Sequence, residues 1–413
     1  MSAWLDMALN GAPINDSLVS QRQQSLALLR AARWPNRKVE AWKYTPVRAL
    51  EQIDYSAANQ STAARGVDAV EGLSAIELVL INGVPQAIAG ELPAGLQVRA
   101  LSEGEAIAGE LFGSVKPSRH IFGLVNDVLA ADGWVIDVAP GVQIETPLRI
   151  VYRTTEAAQA HGRVLVRLGD KSRLTVIEQA EGTEPSMSTY FSEFSVGVGA
   201  HLEHYRFALQ TGAAMSVGGC HVLLAERSEL HSTLVGFGSD LSRLDVDVIH
   251  GGEFASAKVN AIYLLDGREL FDLHSTIEHA CANGTTEENV RGIAGGQSKA
   301  VFNGRIHIHR HAQKTLAELN NRNLLLTSGA EINTKPELEI YADDVRCAHG
   351  ATVAETDKGA LYYLQSRGIS RSQAQIMLNF GFINELVDAM PNAALAQWLR
   401  PQLRARFAQM GDA

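Results

Sequence analysis

Cys347 and His349 are the two residues of this sequence whose types and spacing most directly indicate chemistry. They lie two positions apart, so on an extended backbone both side chains project from the same face. A thiol and an imidazole on one face supply two ligands for iron or zinc, whereas such sites usually take about four. A partner surface would therefore have to complete the coordination. The alternative interpretation is structural, with a buried cysteine and a histidine bonded to the backbone of a turn.

A second set of candidate ligands consists of three histidines at alternate positions, His307, His309 and His311. On a strand this spacing puts all three imidazoles on one face, where they could bind zinc or iron. The alternative is a solvated strand face that tolerates histidine. Cys220 and Cys281 lie in β-rich sequence, and we expect both to be small core residues.

Composition excludes several classes of protein. The three cysteines lie more than sixty residues apart, which predicts no disulfide framework. A formal net charge of -10, without a basic stripe outside the extreme C-terminus, argues against nucleic acid as a partner. The apolar runs are far shorter than the ~20 residues of a membrane helix, and no signal-peptide pattern begins the sequence, so we expect a cytoplasmic protein without membrane contact. The sequence has no phosphate-binding loop motif, so we expect no ATP hydrolysis by this chain.

The first part of the chain, residues 1–132, is predicted to be a helical region with a small β-hairpin. Helical periodicity occurs at 16–32 and 120–131, and a strand running into an Asn-Gly turn predicts a hairpin at 75–86. Residues 51–72, rich in small and polar residues, are typical of a loose connector.

Residues 133–353 form a series of short, alternating, β-branched segments broken by glycine and polar residues. Leu174, Leu202 and Leu230 each follow a turn and are spaced 28 residues apart, which is a repeat pattern. The absence of helix-length segments between the strands excludes a βαβ sheet, leaving an antiparallel sandwich or a coiled stack of parallel strands. The regular period favours the second, a mainly β fold with a β-helix or β-solenoid core.

Residues 354–413 return to a helical pattern. Ser370 and Gln373 have the spacing of a capping box, which predicts a helix from Arg371 to about Met390. A second helix is predicted from apolar residues that recur every four positions, Leu395, Leu399, Leu403 and Phe407. Cys347 and His349 thus lie where the repetitive β region meets the second helical region.

Three segments of the chain, Leu338–Val353, Tyr363–Ile369 and Glu40–Thr45, closely resemble the SufD family, subunits of the SUF scaffold for iron-sulfur cluster assembly. The resemblance spans the chain. It favours SufD over the paralogous SufB, whose members carry a His-Glu-Ala-Thr-Thr-Ser-Lys type run where this chain has His349–Val353. The resemblance implies a right-handed parallel β-helix core flanked by N-terminal and C-terminal helical regions.

The resemblance also implies a role as a non-catalytic subunit. Members of the family pair with SufB through the ends of their β-helices and bind the ABC-type ATPase SufC through their C-terminal helices. Carried over by position, His349 is the expected metal ligand of a nascent, transient cluster shared with SufB, with Cys347 beside it. The residues expected to contact the ATPase, or alternatively to pack at the strand-to-helix turn, are Tyr363, Arg367, Gly368 and Ile369. We expect no tightly bound cofactor in the isolated chain. An open β-helix end would expose strand edges through which two copies of the chain could pair as a homodimer when SufB is absent.

Two other functions stay open from the residues alone. A β-helix enzyme acting on acidic polysaccharide could use Asp343, Asp344 and Arg346 as acid-base groups, although such enzymes are usually exported. A metal-storage protein would instead use the face of His307, His309 and His311 and would bind metal when purified alone.

Overall fold

The 28-residue repeat forms the coils of a β-solenoid in the computed structural model of the chain. This structure describes residues 3–12, 14, 16–51, 53, 55–57, 69–155 and 157–411. Most of the connector predicted at 51–72 lies outside the described residues.

The N-terminal part supplies helices and short strands. The helices are α1 (Ala3–Asn10), α2 (Val19–Ala31), α3 (Arg48–Glu51), α4 (Glu105–Leu111) and α5 (Ile121–Leu129), with 3-10 turns at Glu40–Trp42 and Leu101–Glu103. The strands are β1 (Ser56–Ala57), β2 (Ile76–Ile81), β3 (Val84–Pro85) and β4 (Leu96–Ala100). The predicted helices correspond to α2 and α5, and the predicted hairpin is the antiparallel pair of β2 and β3.

The solenoid alternates between two sheets. One sheet holds β5 (Asp132–Val138), β7 (Ala158–Leu168), β9 (Ser186–Val196), β11 (Ala214–Leu224), β13 (Leu241–His250), β15 (Leu270–His279), β17 (Lys299–Ile308) and β19 (Glu331–Ile340). The other holds β6 (Leu148–Arg153), β8 (Arg173–Glu181), β10 (His201–Ala208), β12 (Glu229–Gly236), β14 (Ser256–Leu265), β16 (Thr285–Ala294), β18 (Leu316–Leu325) and β20 (Arg346–Glu355). Each of these strands pairs in parallel with the strand one coil further along. The fold is therefore mainly β with a solenoid core of about 8 turns, and the antiparallel sandwich is excluded.

One coil of the solenoid corresponds to the repeat period. Leu174 pairs directly with Leu202, and Leu202 with Leu230, and all three side chains lie in the lumen between the two sheets. Three residues before each leucine, the turn contains a residue with a positive, left-handed φ. These residues are Lys171, Gly199 and Arg227. Backbone hydrogen bonds join the turns, from Lys171 N to Val198 O and from Gly199 N to Glu226 O. The period thus fixes the register, because a slip by one residue would turn every lumen leucine outward.

The lumen is largely apolar, and Glu288 on β16 is an exception. Its register partners Val259 and Leu319 are both core residues, which places the Glu288 side chain among them. Glu288 is 1% exposed, and no described residue bonds its Oε2. Burial raises the pKa of Glu288 from 4.5 to about 7.

Replacing this carboxyl with an amide is expected to stabilise the protein at alkaline pH. The pKa of Glu288 is higher in the folded than in the unfolded chain, so folding stability is lost as pH rises from 4.5 to about 7. Glu288→Gln should raise the free energy of unfolding at pH 8 by up to about 3 kcal/mol and change it little at pH 4. Urea unfolding at the two pH values measures this difference.

The control for that experiment is Glu287→Gln, on the neighbouring residue. Glu287 is exposed on the outer face and pairs with Lys258 at 3.5 Å, so its replacement should change stability by under about 0.5 kcal/mol. An equal response of both variants to pH would contradict the assigned ionisation of Glu288.

The N-terminal region packs on the outer face of the first sheet through buried ion pairs. Arg163 on β7 contacts Asp127 of α5 at 3.0 Å and is paired with Glu193 on β9. The Glu193 carboxylate also accepts hydrogen bonds from the backbone N–H groups of Val115 and Lys116, at 2.8 and 2.7 Å. Because these charges are buried on both sides of the contact, removal of one partner would leave an uncompensated buried charge between the N-terminal region and the solenoid.

The Glu40–Thr45 segment is held against the same sheet further along the solenoid. The Arg243 guanidinium of β13 lies over the buried Trp42 ring, 4.0 Å from its centroid, and donates to the Ala41 carbonyl at 2.6 Å. Lys335 on β19 forms an ion pair with Glu40 at 3.0 Å. This segment therefore reaches the last strand of the first sheet.

The C-terminal helices α6 (Lys358–Ser366), α7 (Arg371–Asp388) and α8 (Ala393–Gly411) follow the solenoid. The predicted cap is present, since the Ser370 side chain accepts a hydrogen bond from the Gln373 N–H. The predicted apolar stripe of α8, Leu395, Leu399, Leu403 and Phe407, is buried in a cluster that also contains residues from the outer face of the second sheet, including Tyr205 and Phe207. No helix within the described residues is long and apolar enough to cross a membrane.

Candidate functional site at the open end of the solenoid

The solenoid ends with two strands that each lack a partner on one side. Within the described residues, β19 pairs only with β17, and β20 only with β18. Residues of β20 are exposed or half-buried throughout, whereas those of the equivalent inner strands are largely buried. This end, which we call the open end, therefore presents unpaired backbone groups and an uncovered lumen, as a surface suited to a partner does.

Cys347 and His349 lie on β20, at the open end. Cys347 pairs in register with Ala317, and His349 pairs with Leu319. Ala317 and Leu319 are both buried in the lumen core, so Cys347 and His349 lie on the lumen side of β20, as their spacing predicts. Cys347 is half-buried against the core, and His349 is exposed in the middle of the strand and not at a turn.

The Cys347 thiol holds its proton more tightly than an ordinary cysteine does. Burial raises the pKa of the Cys347 thiol above its ordinary value, and a hydrogen bond with the Ala317 backbone offsets part of the increase. A metal would have to displace the thiol proton. The imidazole of His349 is exposed, so a metal brought by a partner could reach it directly. The lumen-facing neighbours at this end include Ile332, Leu338 and Val353, which are not ligands.

The predicted strand face with three imidazoles is wrong, because only His307 lies on β17; its ring centre is 4.6 Å from that of His309, which follows the strand. β17 ends at Ile308, and His311 is exposed in the turn that follows. His307 Nδ1 lies 2.9 Å from a Glu339 oxygen, and His309 Nε2 lies 2.6 Å from Glu278. These two imidazoles thus contact different carboxylates on the outer face.

The other two cysteines occupy different environments. Cys220 is buried in the lumen core, as predicted, and burial raises the pKa of its thiol. Cys281 is half-buried in the bend between β15 and β16, where its Sγ donates to the Gly251 carbonyl at 3.2 Å. The prediction of a core position for Cys281 is wrong, because the strand ends at His279 before the residue is reached.

The residues carried over as ATPase contacts lie on and just after α6. Tyr363 is 57% exposed, and the Arg367 guanidinium lies 5.2 Å from the centre of its ring. Gly368 ends the helix with a left-handed φ of 84°, and Ile369 is half-buried. Tyr362, which the sequence analysis does not single out, is the most exposed large apolar residue of this surface at 74%. The sequence feature that could have indicated Tyr362 is its position directly beside Tyr363.

Two family models match consecutive parts of the chain. The model described as the SufBD protein N-terminal region matches residues 12–150. The model described as SUF system FeS cluster assembly, SufBD core domain, matches residues 151–382. The chain belongs to the SufBD family.

Relatives within the SufBD family align with almost the whole chain. The iron-sulfur cluster assembly protein SufD of Escherichia coli is 30% identical over 399 residues, which cover 94% of this chain and 92% of that protein. A SufBD family protein of Synechocystis is 29% identical over 432 residues, covering 98% and 95%. The chloroplastic protein ABCI7 of Arabidopsis thaliana is 26% identical over 424 residues, covering 97% and 88%.

These comparisons confirm the resemblance to SufD and the assignment to iron-sulfur cluster assembly. They give no support to the alternative of a polysaccharide enzyme. The acid-base candidates of that alternative, Asp343 and Asp344, are exposed in the turn before β20, together with Arg346 at the start of the strand.

Proposed function

We propose that this SufBD-family chain is a scaffold subunit that holds one side of a nascent iron-sulfur cluster at its open end. The observation that carries the proposal is the placement of Cys347 and His349 together on the lumen side of an uncovered last coil. His349 is the proposed iron ligand, and Cys347 is the neighbouring thiol. Both residue types ligate iron, and two ligands leave the remaining positions for a partner. The cluster is cargo that is built and released, and the chain contributes no catalytic residue of its own.

The proposed partner at the open end is SufB, a second solenoid subunit. The free edges of β19 and β20 offer backbone donors and acceptors that another strand can pair with. SufB would cover the lumen and supply the missing cluster ligands. When SufB is absent, the same edges would pair two copies of this chain.

The proposed partner at α6 is the ABC-type ATPase SufC. The exposed Tyr362, Tyr363 and Arg367 form a compact aromatic and cationic surface, a composition that is enriched in interface hot spots.

The α6 helix follows closely after the last strand of the solenoid. β20 ends at Glu355, and Asp357 caps α6 by accepting hydrogen bonds from the Gly359 and Ala360 N–H groups. Since α6 continues directly from the strand that carries His349, a movement of the docked ATPase would be passed to the cluster site.

Affinity purification of the tagged chain from its own cells tests these assignments. We expect the chain to bring down an ABC-type ATPase and a second SufBD-family protein. The double variant Tyr363→Ala/Arg367→Ala should recover at least tenfold less ATPase than the wild-type chain. It should recover the SufBD partner at the unchanged level, because it changes only the α6 surface. ATPase recovered at the unchanged level would place that interface elsewhere.

The matched control is Lys258→Ala, a half-exposed residue of β14 whose ion pair is with Glu287 on β16. It should bring down both partners at the unchanged level. Point variants are preferable to truncation at residue 360, because removal of α7 and α8 would uncover the apolar cluster around Tyr205 and Phe207.

A further inference from the structure

The N-terminal region and the solenoid meet at three side chains that could act as metal ligands, His120, His221 and Asp247. Within the described part of the chain, they are the group of three histidine, cysteine or acidic residues whose ligand atoms all lie within 4.8 Å of one another. His221 on β11 and Asp247 on β13 are direct register partners. His120 immediately precedes α5. None of the three belongs to the open end or to α6.

The ligand atoms converge on one carboxylate oxygen. Asp247 Oδ2 lies 2.7 Å from His120 Nε2 and 2.7 Å from His221 Nδ1. The other oxygen, Oδ1, is occupied by the Arg119 guanidinium, which leaves Oδ2 directed at the two imidazoles. Metal–ligand distances of ~2.0–2.1 Å in a tetrahedral site require ligand atoms roughly 3.3 Å apart. Each imidazole nitrogen would therefore move about 0.6 Å away from Asp247 Oδ2, and all three ligand atoms already lie within 4.8 Å of one another.

Neighbouring charges orient the imidazole of His120 for such a role. Its Nδ1 lies 3.4 Å from Asp245 Oδ2, on the side of the ring opposite the convergence point. A carboxylate behind a histidine is the usual support of a metal-binding imidazole, because it fixes the ring and its tautomer. Asp245 is itself held by Arg243 at 2.8 Å.

We propose that His120, His221 and Asp247 bind one divalent first-row transition ion, Zn²⁺ or Fe²⁺. Two imidazoles and one carboxylate suit these ions and leave at least one position for water, whereas Ca²⁺ and Mg²⁺ prefer oxygen ligands alone. The side chains of His221 and Asp247 are buried, and that of His120 is 11% exposed, which gives solvent access to the site from the His120 side. The ion would join α5 to two coils of the solenoid and so stabilise the contact between the two regions.

The test uses the full chain carrying Cys347→Ser and His349→Ala, so that the open end contributes no ligands. The chain is first stripped with a chelator and then titrated with Zn²⁺ or Co²⁺ at pH 7.5. We expect one ion per chain, visible absorption bands of Co²⁺ in a nitrogen and oxygen site, and a melting temperature that rises with the metal.

Two variants separate metal binding from hydrogen bonding. His120→Gln keeps a donor near the position of Nε2, and His221→Asn keeps one near Nδ1, so each can still bond Asp247 while losing the imidazole ligand. Each should weaken metal binding at least tenfold and abolish the metal-dependent rise in melting temperature. His201→Gln, at a half-exposed histidine on β10, is the control and should bind as the parent does.

Two results would overturn the proposal. One is that the stripped Cys347→Ser/His349→Ala chain, without further substitution, binds no Zn²⁺ or Co²⁺ and melts at the same temperature with and without the ion. In that case His120, His221 and Asp247 would form only a hydrogen-bonded network. The other is binding that persists unchanged in a folded His120→Gln or His221→Asn chain. The parent measurement stands by itself if either variant fails to fold.

Discussion

The complex assembled with His349→Ala is expected to carry several-fold less iron-sulfur cluster than the wild-type complex, while its subunits stay associated. His349 is exposed on the lumen side of β20, where its imidazole is the chain's proposed iron ligand. Alanine removes that ligand without altering the backbone edges that the partner is proposed to pair with. The measurement is iron and acid-labile sulfide per purified complex, together with its subunit ratio.

The control for His349 comes from the same strand. Val353 is also on the lumen side of β20, is 43% exposed, and has no ligand atom, so Val353→Ala should leave the cluster content unchanged. Cys347→Ser should have a smaller effect than His349→Ala, since the half-buried thiol holds its proton more tightly than an ordinary cysteine. Normal cluster content in an intact His349→Ala complex would remove His349 from the site.

The variant Arg163→Met is expected to destabilise the chain by about 3–5 kcal/mol, because it removes one partner of a buried ion network. Arg163 is fully buried between Asp127 and Glu193, and its guanidinium also lies 4.6 Å from the centre of the Phe112 ring. Methionine approximates the volume but leaves two buried carboxylates without their shared cation. The midpoint and slope of urea unfolding at pH 7.5 measure the loss.

Arg167→Met provides the matched control on the same strand. Arg167 forms its ion pairs with Asp137 and Glu110 at the surface, where its own side chain is 38% exposed. Surface pairs of this kind contribute about 0–1 kcal/mol, so this variant should unfold close to the wild type. Equal losses in the two variants would mean that burial of the Arg163 network adds nothing to stability.

Much of the fold could be predicted because the sequence patterns that specify it are local or periodic. The 28-residue spacing of Leu174, Leu202 and Leu230 repeats a whole coil, so it carries the parallel register within the sequence itself. The Ser370 cap depends on an atom three residues away, and the stripe of α8 depends on the pitch of one helix. Such patterns do not require knowledge of distant contacts.

The two predictions that were wrong concern residues just beyond the end of a strand. His311 and Cys281 were assigned from spacing or surrounding composition, but β17 ends at Ile308 and β15 at His279, so both residues lie in bends. A strand boundary depends on how the next coil is reached, and alternation alone does not locate it.

The spacing of Cys347 and His349 is enough to put both side chains on one face of a strand, because alternation is a property of extended backbone. The three-dimensional fold is needed to show that this face is the lumen side of the last coil, left uncovered because no further strand pairs with β20 among the described residues. It also brought His120 to Asp247, 127 residues away in the chain, since a helix packed across coils joins positions that no sequence period relates. The spacing of candidate ligands along one strand is thus local information. The exposure of that strand face, and the approach of ligands from distant parts of the chain, depend on tertiary packing.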